Sequence, residues 1–501
     1  MSALPRETAA QPWLIERLPR SCLLALLLVT LTAYRLAALH AADLQLYFEE
    51  AYYWTWSTEP ALGYYSKPPM IAWLMAASSS VCGESEACLR AAPMLLFLAT
   101  AALVFATARR SFGPEVGFFA GLTYATLPVV AFYSWFVTTD ALLSFFWALA
   151  LFALARATER GLWRDWLLFG AAVGLGLLSK YTMSVFLVSL AVYLLLVPER
   201  RARFWSRKTL AAAGLALLLF LPNLAWNLAH GFASFRHTAE SAHWGGSLFH
   251  VDHLVLFLAG QMVLFGPLLA LASFASGWQK ARAALRDERL RFAASFTVPL
   301  IALYAVQALI AKANLNWTMA AFVPGSILVA AYLIQAGQRR ALIVGICLNV
   351  FLGSVVYHYG AVAERLGIAV KPEADAYGWM KGWRELAAKV QAVRDRHPDA
   401  GLIADHRRLL GELMFYLQPH PMDGVIWNPS GAISDHFRLK TDLGRSPYQS
   451  FVFVSSLTSA EELRRAFREV VDLGPVDLPR HPEQRADYRI FLVKQFLGYP
   501  S

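Results

Sequence analysis

Long apolar segments alternate with short basic segments over the first 360 residues of the chain. About eleven of the apolar segments approach the ~20 residues that a helix needs to cross a bilayer. They lie at about 20–39, 92–108, 116–135, 141–156, 166–179, 182–197, 209–222, 254–276, 293–311, 319–336 and 341–358. The pattern predicts a polytopic α-helical membrane protein with about 11 transmembrane helices.

The composition agrees with this prediction. Hydrophobic residues make up 57% of the chain and charged residues 16%, and the mean hydropathy is +0.43. Soluble proteins contain about 45–50% apolar and about 25% charged residues, so we expect membrane lipids to surround this one. The net charge of +10 comes mostly from basic residues between apolar segments, where they set the orientation of helices. We therefore expect no nucleic-acid partner.

Basic residues concentrate in alternate connections between the apolar segments. These connections include 109–110, 156–164, 200–208, 280–291 and 339–340. Because basic loops stay on the cytoplasmic side, the long loops 40–91 and 223–253 face outward, as does the chain after residue 358.

The composition changes to that of a soluble protein beyond residue 360. The runs at 401–405, 424–427, 450–456 and 488–493 predict short strands, and 384–396 has helical spacing. We predict two domains: a transmembrane domain at 1–360, which includes both outer loops, and a small outer α/β domain at 361–501.

The first outer loop combines adjacent carboxylates, many aromatic rings and a single lysine. Residues 49–69 read EEAYYWTWSTEPALGYYSKPP, with Glu49 and Glu50 first and Lys67 before two prolines. Adjacent carboxylates are costly near lipid. The apolar run 70–81 is too short to cross and predicts an interfacial helix. The outer boundary also carries Asp140, Lys180, Arg236 and Lys312, which predicts one water-accessible cavity holding acids and cations.

Cys82 and Cys88 flank a short GESEA turn on the outer side. They could be two small apolar residues at a helix end, or a disulfide in an oxidising compartment. The sequence leaves both interpretations open.

Several separate motifs, in the same order, resemble bacterial family 39 glycosyltransferases. They are EEAYYWTWSTEPALGYYSKPPMIAWL, CLRAAP, TTDALLSF, GLGLLSKYT, PNLAWNLAHGFASFRHT and NWTMAAF. The family comprises GT-C membrane enzymes related to protein O-mannosyltransferases and to the lipid A aminoarabinose transferase. The resemblance covers roughly residues 20 to 430. It implies a GT-C fold in the bacterial inner membrane, with the active site and C-terminal domain facing the periplasm.

The resemblance also implies the reaction: a sugar moves with inversion from a polyprenyl-phosphate donor to an envelope acceptor. That acceptor could be lipid A, the lipopolysaccharide core, another glycan or a protein. A transporter or flippase of polyprenyl-linked sugars is the alternative, and a fold retained only for binding polyprenyl phosphate is a third interpretation. The transferase is favoured because the charged residues cluster at one outer boundary, and no inverted repeat is visible.

Three carboxylates are candidate catalytic residues by this resemblance. The usual motif is Asp-Glu before Ala-Tyr-Tyr-Trp, whereas this chain has Glu49-Glu50, so either Glu49 or Glu50 could be the base. Asp140 matches the acid at the start of the fourth span. Lys67 matches the lysine that pairs with the donor phosphate. In the aminoarabinose branch an acid that helps to bind metal precedes this lysine, but here the position is Ser66. We therefore assign no metal ligand and no certain cofactor, and leave a divalent cation open.

The remaining candidates are substrate-binding residues. Cations stabilise a departing phosphate, and aromatic rings stack on sugars. The candidates are Tyr52, Tyr53, Tyr65, Lys180, Arg236, His237, Lys312 and Trp317. The aromatic residues could instead form a plain interfacial belt, and Asp140 and Lys180 could simply cap or flank helices.

Overall fold

The computed structural model describes residues 19–240, 249–284, 286–368, 370–371, 375–456, 458–481 and 484–499. Sixteen helices precede the outer sheet domain in this part of the chain. They are α1 (Arg20–Ala42), α2 (Phe48–Ser57), α3 (Met70–Cys82), α4 (Glu86–Phe112), α5 (Pro114–Thr126), α6 (Pro128–Tyr133), α7 (Thr139–Arg160), α8 (Trp163–Ser179), α9 (Ser184–Leu196), α10 (Arg207–Ala229), α11 (Ala233–Glu240), α12 (Val251–Phe265), α13 (Pro267–Ala284), α14 (Glu288–Ile310), α15 (Phe322–Gln335) and α16 (Arg339–Arg365).

The predicted polytopic helical fold is confirmed. Within the described residues, seven helical segments are long and apolar enough to cross a membrane. They are α1, α4, α7, α10, α14, α16 and the segment Leu315–Gln335, which contains α15. Helices α12 and α13 would add an eighth span if counted together, although they meet at 106°. The bend lies at Gly266, where φ is +104° and a Cβ would lie 2.2 Å from Oδ1 of Asn349.

The other three predicted spans are helical but short or broken. Residues 116–135 divide at Leu127 into α5 and α6, because Pro128 begins a new helix. Helix α8 has 17 residues and α9 has 13, both below the length of a perpendicular span.

Two short helices, α2 and α3, lie between α1 and α4 in the chain. The predicted interfacial helix at 70–81 corresponds to α3. A disulfide between Cys82 and Cys88 joins the end of α3 to the first turn of α4, which settles the alternatives that the sequence left open. Helix α2 is buried at every position except Glu49.

The C-terminal region folds around a five-stranded mixed sheet. Its elements are α17 (Trp383–Arg394), β1 (Gly401–Ala404), α18 (Arg407–Tyr416), β2 (Val425–Ile426), α19 (His436–Lys440), β3 (Ser450–Ser455), α20 (Ala460–Ala466), β4 (Phe467–His481) and β5 (Gln484–Phe496). The strand order is β2-β1-β3-β5-β4, with β1 parallel to β2 and β3, and β5 antiparallel to β3 and β4. All four predicted strands and the helix predicted at 384–396 are present.

The sequence did not indicate β4. This edge strand carries three charged residues before Pro475, namely Arg468, Glu469 and Asp472, and its pairing with β5 shifts between Asp472 and Pro475. These features break the alternation that marks a strand.

The sheet domain docks on the first outer loop through α2 and α18. Tyr52 and Trp54 of α2 share one hydrophobic core with Leu410 and Leu413 of α18 and Val452 of β3. The loop and the sheet domain therefore lie on the same side of the helix bundle. The domain boundary at residue 360 remains a prediction, and α16 continues to Arg365.

Candidate active site

Glu50 is buried and bound by structural partners. Nη2 of Arg90 lies 2.6 Å from its Oε2, and the two side chains are 0% and 1% exposed. The carboxylate also accepts the backbone N–H groups of Tyr47 and Val137, each at 2.8 Å. These bonds tie α2 to α4 and to the segment before α7. Glu50 is thus turned away from solvent, and its partners suit it to holding α2 in place rather than to accepting a proton from a substrate.

Glu49 points the other way, since adjacent residues on a helix diverge by about 100°. Its side chain is 39% exposed, and Nη2 of Arg407 lies 4.0 Å from its Oε1. The Tyr53 hydroxyl donates to its Oε2 at 3.2 Å. Burial and the charge of Glu49 raise the pKa of Tyr53, which therefore stays a donor. The carboxylate is oriented but still open to a ligand.

Lys67 is half-buried in the same charged cluster. Burial lowers the pKa of its ammonium; Lys180 and Arg407 act in the same direction, whereas Glu49 and Asp140 oppose them. The structure thus brings Lys67 within electrostatic reach of both candidate acids. Two prolines follow Lys67, and the N–H of Tyr64 donates to its carbonyl at 3.2 Å, so its backbone is held in place.

Asp140 and Lys180 form an ion pair at the ends of two helices. Nζ of Lys180 lies 2.6 Å from Oδ1 of Asp140, in the first turn of α7. The amide of Asn316 donates to Oδ2 at 2.9 Å. With both oxygens engaged, Asp140 is suited to position Lys180 rather than to accept a proton from substrate.

Two of the predicted sugar-stacking tyrosines make contacts that attach the sheet domain. The Tyr52 ring is 1% exposed, and its hydroxyl accepts the N–H of His436 at 2.5 Å. The Tyr65 hydroxyl donates to the carbonyl of Ile433 at 2.9 Å. Tyr52 is therefore unavailable as a stacking platform.

Helix α11 brings His237, but not Arg236, towards the cluster. The His237 ring lies 5.4 Å from the Tyr65 ring, whereas Arg236 is exposed. Burial and the positive charges of Lys67 and Arg407 lower the pKa of His237 to about 4. At neutral pH this imidazole is uncharged, so it can contact a phosphate only by hydrogen bonding.

The remaining predicted residues lie near the end of α14. Lys312 is exposed, and the Trp317 ring packs 5.3 Å from that of Tyr304. Within the NWTMAAF motif, the residue that reaches the described acids is Asn316, through Asp140. The sequence did not single out Asn316.

Arg407 is the other site residue that the sequence did not reveal. It begins α18, and its guanidinium lies 5.2 Å from the Tyr52 ring centre and 4.0 Å from Glu49. The sheet domain thus supplies a cation directly to the carboxylate of the first outer loop. Lys67 and Arg407 have no carboxylate closer than 4.0 Å in the described part of the chain.

One group in the described residues has the composition of a metal site. The ligand atoms of His250, Asp252 and His253 lie within 4.8 Å of one another at the start of α12. Nδ1 of His253 is 3.0 Å from the carbonyl of Ala311. These residues are outside the cluster around Glu49.

The described residues thus form a polytopic helix bundle with acids and cations gathered where the sheet domain docks. Comparison with known proteins specifies its class. Residues 66–226 match the family described as dolichyl-phosphate-mannose-protein mannosyltransferase. The lipid A galacturonosyltransferase RgtD of Rhizobium johnstonii is 33% identical over 404 residues, which cover 80% of this chain and 83% of that protein.

One further relative and one solved structure are also similar to this chain. An undecaprenyl phosphate-α-4-amino-4-deoxy-L-arabinose arabinosyl transferase of Pseudomonas paraeruginosa is 29% identical over 223 residues, covering 42% of this chain and 39% of that protein. The crystal structure of ArnT from Cupriavidus metallidurans bound to undecaprenyl phosphate superposes with a TM-score of 0.64 at 16% identity, covering 94% of this chain and 97% of that one. The chain belongs to the family 39 GT-C membrane glycosyltransferases, as its motifs predicted, and is a multi-pass membrane glycosyltransferase.

Proposed function

We propose that this enzyme transfers a sugar, with inversion, from a polyprenyl-phosphate donor to a hydroxyl of an envelope glycolipid at the periplasmic face. The observation that carries the proposal is that an accessible carboxylate, Glu49, and a partly buried cation, Lys67, lie within electrostatic reach of each other in one cluster. An inverting transfer needs a base on one side of the sugar and a cation at the leaving phosphate on the other.

Each group in the cluster has a role in this reaction. The acceptor oxygen forms a bond to the anomeric carbon while the bond from that carbon to the phosphate oxygen breaks. Glu49 takes the acceptor proton, and the bonding electrons leave with the polyprenyl phosphate, whose charge Lys67 stabilises. Asp140 holds Lys180 where it adds positive potential. Fixed charges are worth more where a bound substrate displaces water from them than the same charges are in bulk water.

The positive charges of Lys67 and Arg407 favour a donor whose sugar is anionic. RgtD is named as a lipid A galacturonosyltransferase, and we propose a uronic acid donor and lipid A as acceptor here as well. A uronyl phosphodiester carries two negative charges. Among the described residues Lys67 forms no ion pair, and Arg407 has only the 4.0 Å contact with Glu49, so both cations can approach an anionic ligand. An aminoarabinose donor would instead place a positive charge beside these two.

A transfer assay with purified protein tests the proposal. The protein is incubated in detergent with lipid A and radiolabelled polyprenyl-phosphate galacturonate, galactose or aminoarabinose. We expect labelled lipid A, with galacturonate the preferred donor and the anomeric configuration inverted. Donor binding without transfer would instead support the binding-only interpretation, and preference for aminoarabinose would refute the charge argument.

The periplasmic orientation is tested separately by reporter fusions. We expect a fusion after Ser501 to report the periplasm, and a fusion within 200–208 the cytoplasm. A cytoplasmic C-terminus would place the cluster on the wrong face for this reaction.

A further inference from the structure

An open cavity of about 210 Å³ lies in the sheet domain beside α2. Its lining includes three aromatic side chains, Trp379, Trp383 and Tyr488, together with Arg408 and His406. Trp379 is half-exposed, whereas Trp383 and Tyr488 are 3% and 6% exposed. Aromatic walls with a few fixed polar groups are typical of sites for small organic ligands.

Within the described residues, Arg408 has no anionic partner. Its guanidinium lies 4.2 Å from the Phe48 ring centre and 5.7 Å from that of Trp379. Its buried Nε has no hydrogen-bond partner, and it forms no ion pair with any carboxylate of the described residues. A guanidinium packed beside aromatic rings still presents its remaining N–H donors as a planar fork, which suits an anionic group with two oxygens.

The position of Arg408 is fixed by the helix that carries it. His406 caps α18, and its Nδ1 accepts the backbone N–H of Arg408 at 3.2 Å. Burial and the neighbouring arginines lower the pKa of His406, which keeps this nitrogen available as an acceptor.

The cavity lies near the helix that carries the proposed catalytic base, because Arg408 contacts Phe48 of α2. Arg407 and Arg408 are consecutive residues, but Arg407 approaches Glu49 whereas Arg408 lies on Phe48, the residue before it. A ligand bound by Arg408 would therefore lie beside the first turn of α2, which also carries Glu49, on the side of the sheet domain.

We propose that this cavity, at Arg408 and the Trp379, Trp383 and Tyr488 rings, binds an acidic saccharide: the phosphorylated sugar headgroup of the acceptor glycolipid. The rings pack against the apolar face of a sugar, and Arg408 binds its anionic substituent. The identification of the saccharide as acceptor rests on the proposed function, whereas the binding site does not.

A binding experiment without the sugar donor tests the cavity independently of the transfer reaction. Full-length protein in nanodiscs is titrated with the deacylated, phosphorylated lipid A disaccharide, its dephosphorylated form, and inorganic phosphate, with saturation-transfer NMR as readout. We expect the phosphorylated disaccharide to bind at least about tenfold more tightly than either other probe, because it alone engages both the rings and the guanidinium. Equal binding of inorganic phosphate would overturn the saccharide assignment.

Substitutions of the cavity residues then test whether the disaccharide binds in this cavity. Arg408→Gln should weaken the phosphorylated disaccharide about tenfold or more, and Trp379→Ala should weaken both disaccharides. Arg465→Gln is the matched control, since Arg465 pairs with Glu461 on the exposed surface of α20. Binding by Arg408→Gln equal to that of the wild type would overturn the proposal. Because Trp379 is half-exposed, its variant keeps the test valid if Arg408→Gln fails to fold.

Transfer kinetics separate this site from the catalytic cluster. In Arg408→Gln we expect the KM for lipid A to rise about tenfold, with kcat at saturating acceptor and the KM for donor within about twofold of wild type. An equal fall in kcat for all substrates would overturn the assignment to acceptor binding. If the wild type binds the disaccharide through Arg408 but transfers nothing, the proposed function fails while the saccharide site stands.

Discussion

Glu50→Gln should destabilise the protein rather than remove a catalytic group. Glu50 receives two backbone N–H bonds and the contacts of Arg90, and both side chains are at most 1% exposed. Glutamine keeps the shape but leaves the Arg90 guanidinium buried without a counter-charge. Breaking one side of a buried ion pair costs about 3–5 kcal/mol, a shift of more than about 100-fold in the folding equilibrium.

The fraction of protein that stays folded after heating in detergent measures this loss of stability. After a temperature ramp, the fraction that still elutes as a monodisperse peak is compared for wild type, Glu50→Gln, Arg90→Gln and the double variant. We expect both single variants to lose folded protein at lower temperature. The double variant should lose less than the two single losses combined, because neither charge remains unpaired.

Glu49→Gln is the control in this experiment, because it is the neighbouring carboxylate and is 39% exposed. Its heat survival should equal that of wild type. The reasoning is refuted if Glu50→Gln survives heat normally and yet transfers no sugar, since Glu50 would then be the catalytic carboxylate.

Three further predictions concern the cations. Lys67→Ala should lower transfer about 100-fold or more while the protein stays folded, and Lys67→Arg should recover only part; near-normal transfer by the alanine variant would remove Lys67 from the mechanism. Because the pKa of Lys67 is lowered by burial, transfer should fall on the alkaline side below the usual lysine value of 10.5, and Lys67→Arg should shift this fall to higher pH. A pH profile unchanged by Lys67→Arg would contradict this assignment. Arg407→Gln should reduce transfer from a galacturonyl donor at least about tenfold more than transfer from a galactosyl donor; an equal loss for both would show that Arg407 does not recognise the sugar carboxylate.

The sequence predicted the helices well because a lipid environment demands long apolar runs with satisfied backbones. It overestimated continuous spans where a local break intervenes, as at Pro128 and Gly266. Strand β4 was missed because charges and a register shift disrupt its alternation.

The chemistry of the first loop was only partly predictable. Its acids and Lys67 stood out as costly residues near lipid, but adjacent carboxylates look alike in a sequence. What distinguishes Glu50 is its partner Arg90, 40 residues further along in CLRAAP. Arg407 was not predictable, since it comes from a separate domain and only the docking of α18 on α2 brings it to Glu49.

The transfer rate of Glu49→Gln tests the central claim most directly. Purified wild type, Glu49→Gln and Glu49→Asp are compared at saturating donor and lipid A, with heat survival measured in parallel. We predict that Glu49→Gln, which removes basicity but keeps shape, loses about 10² to 10⁴ in rate at unchanged stability, and that Glu49→Asp retains measurable transfer. Normal transfer by Glu49→Gln would contradict the assignment of Glu49 as the base.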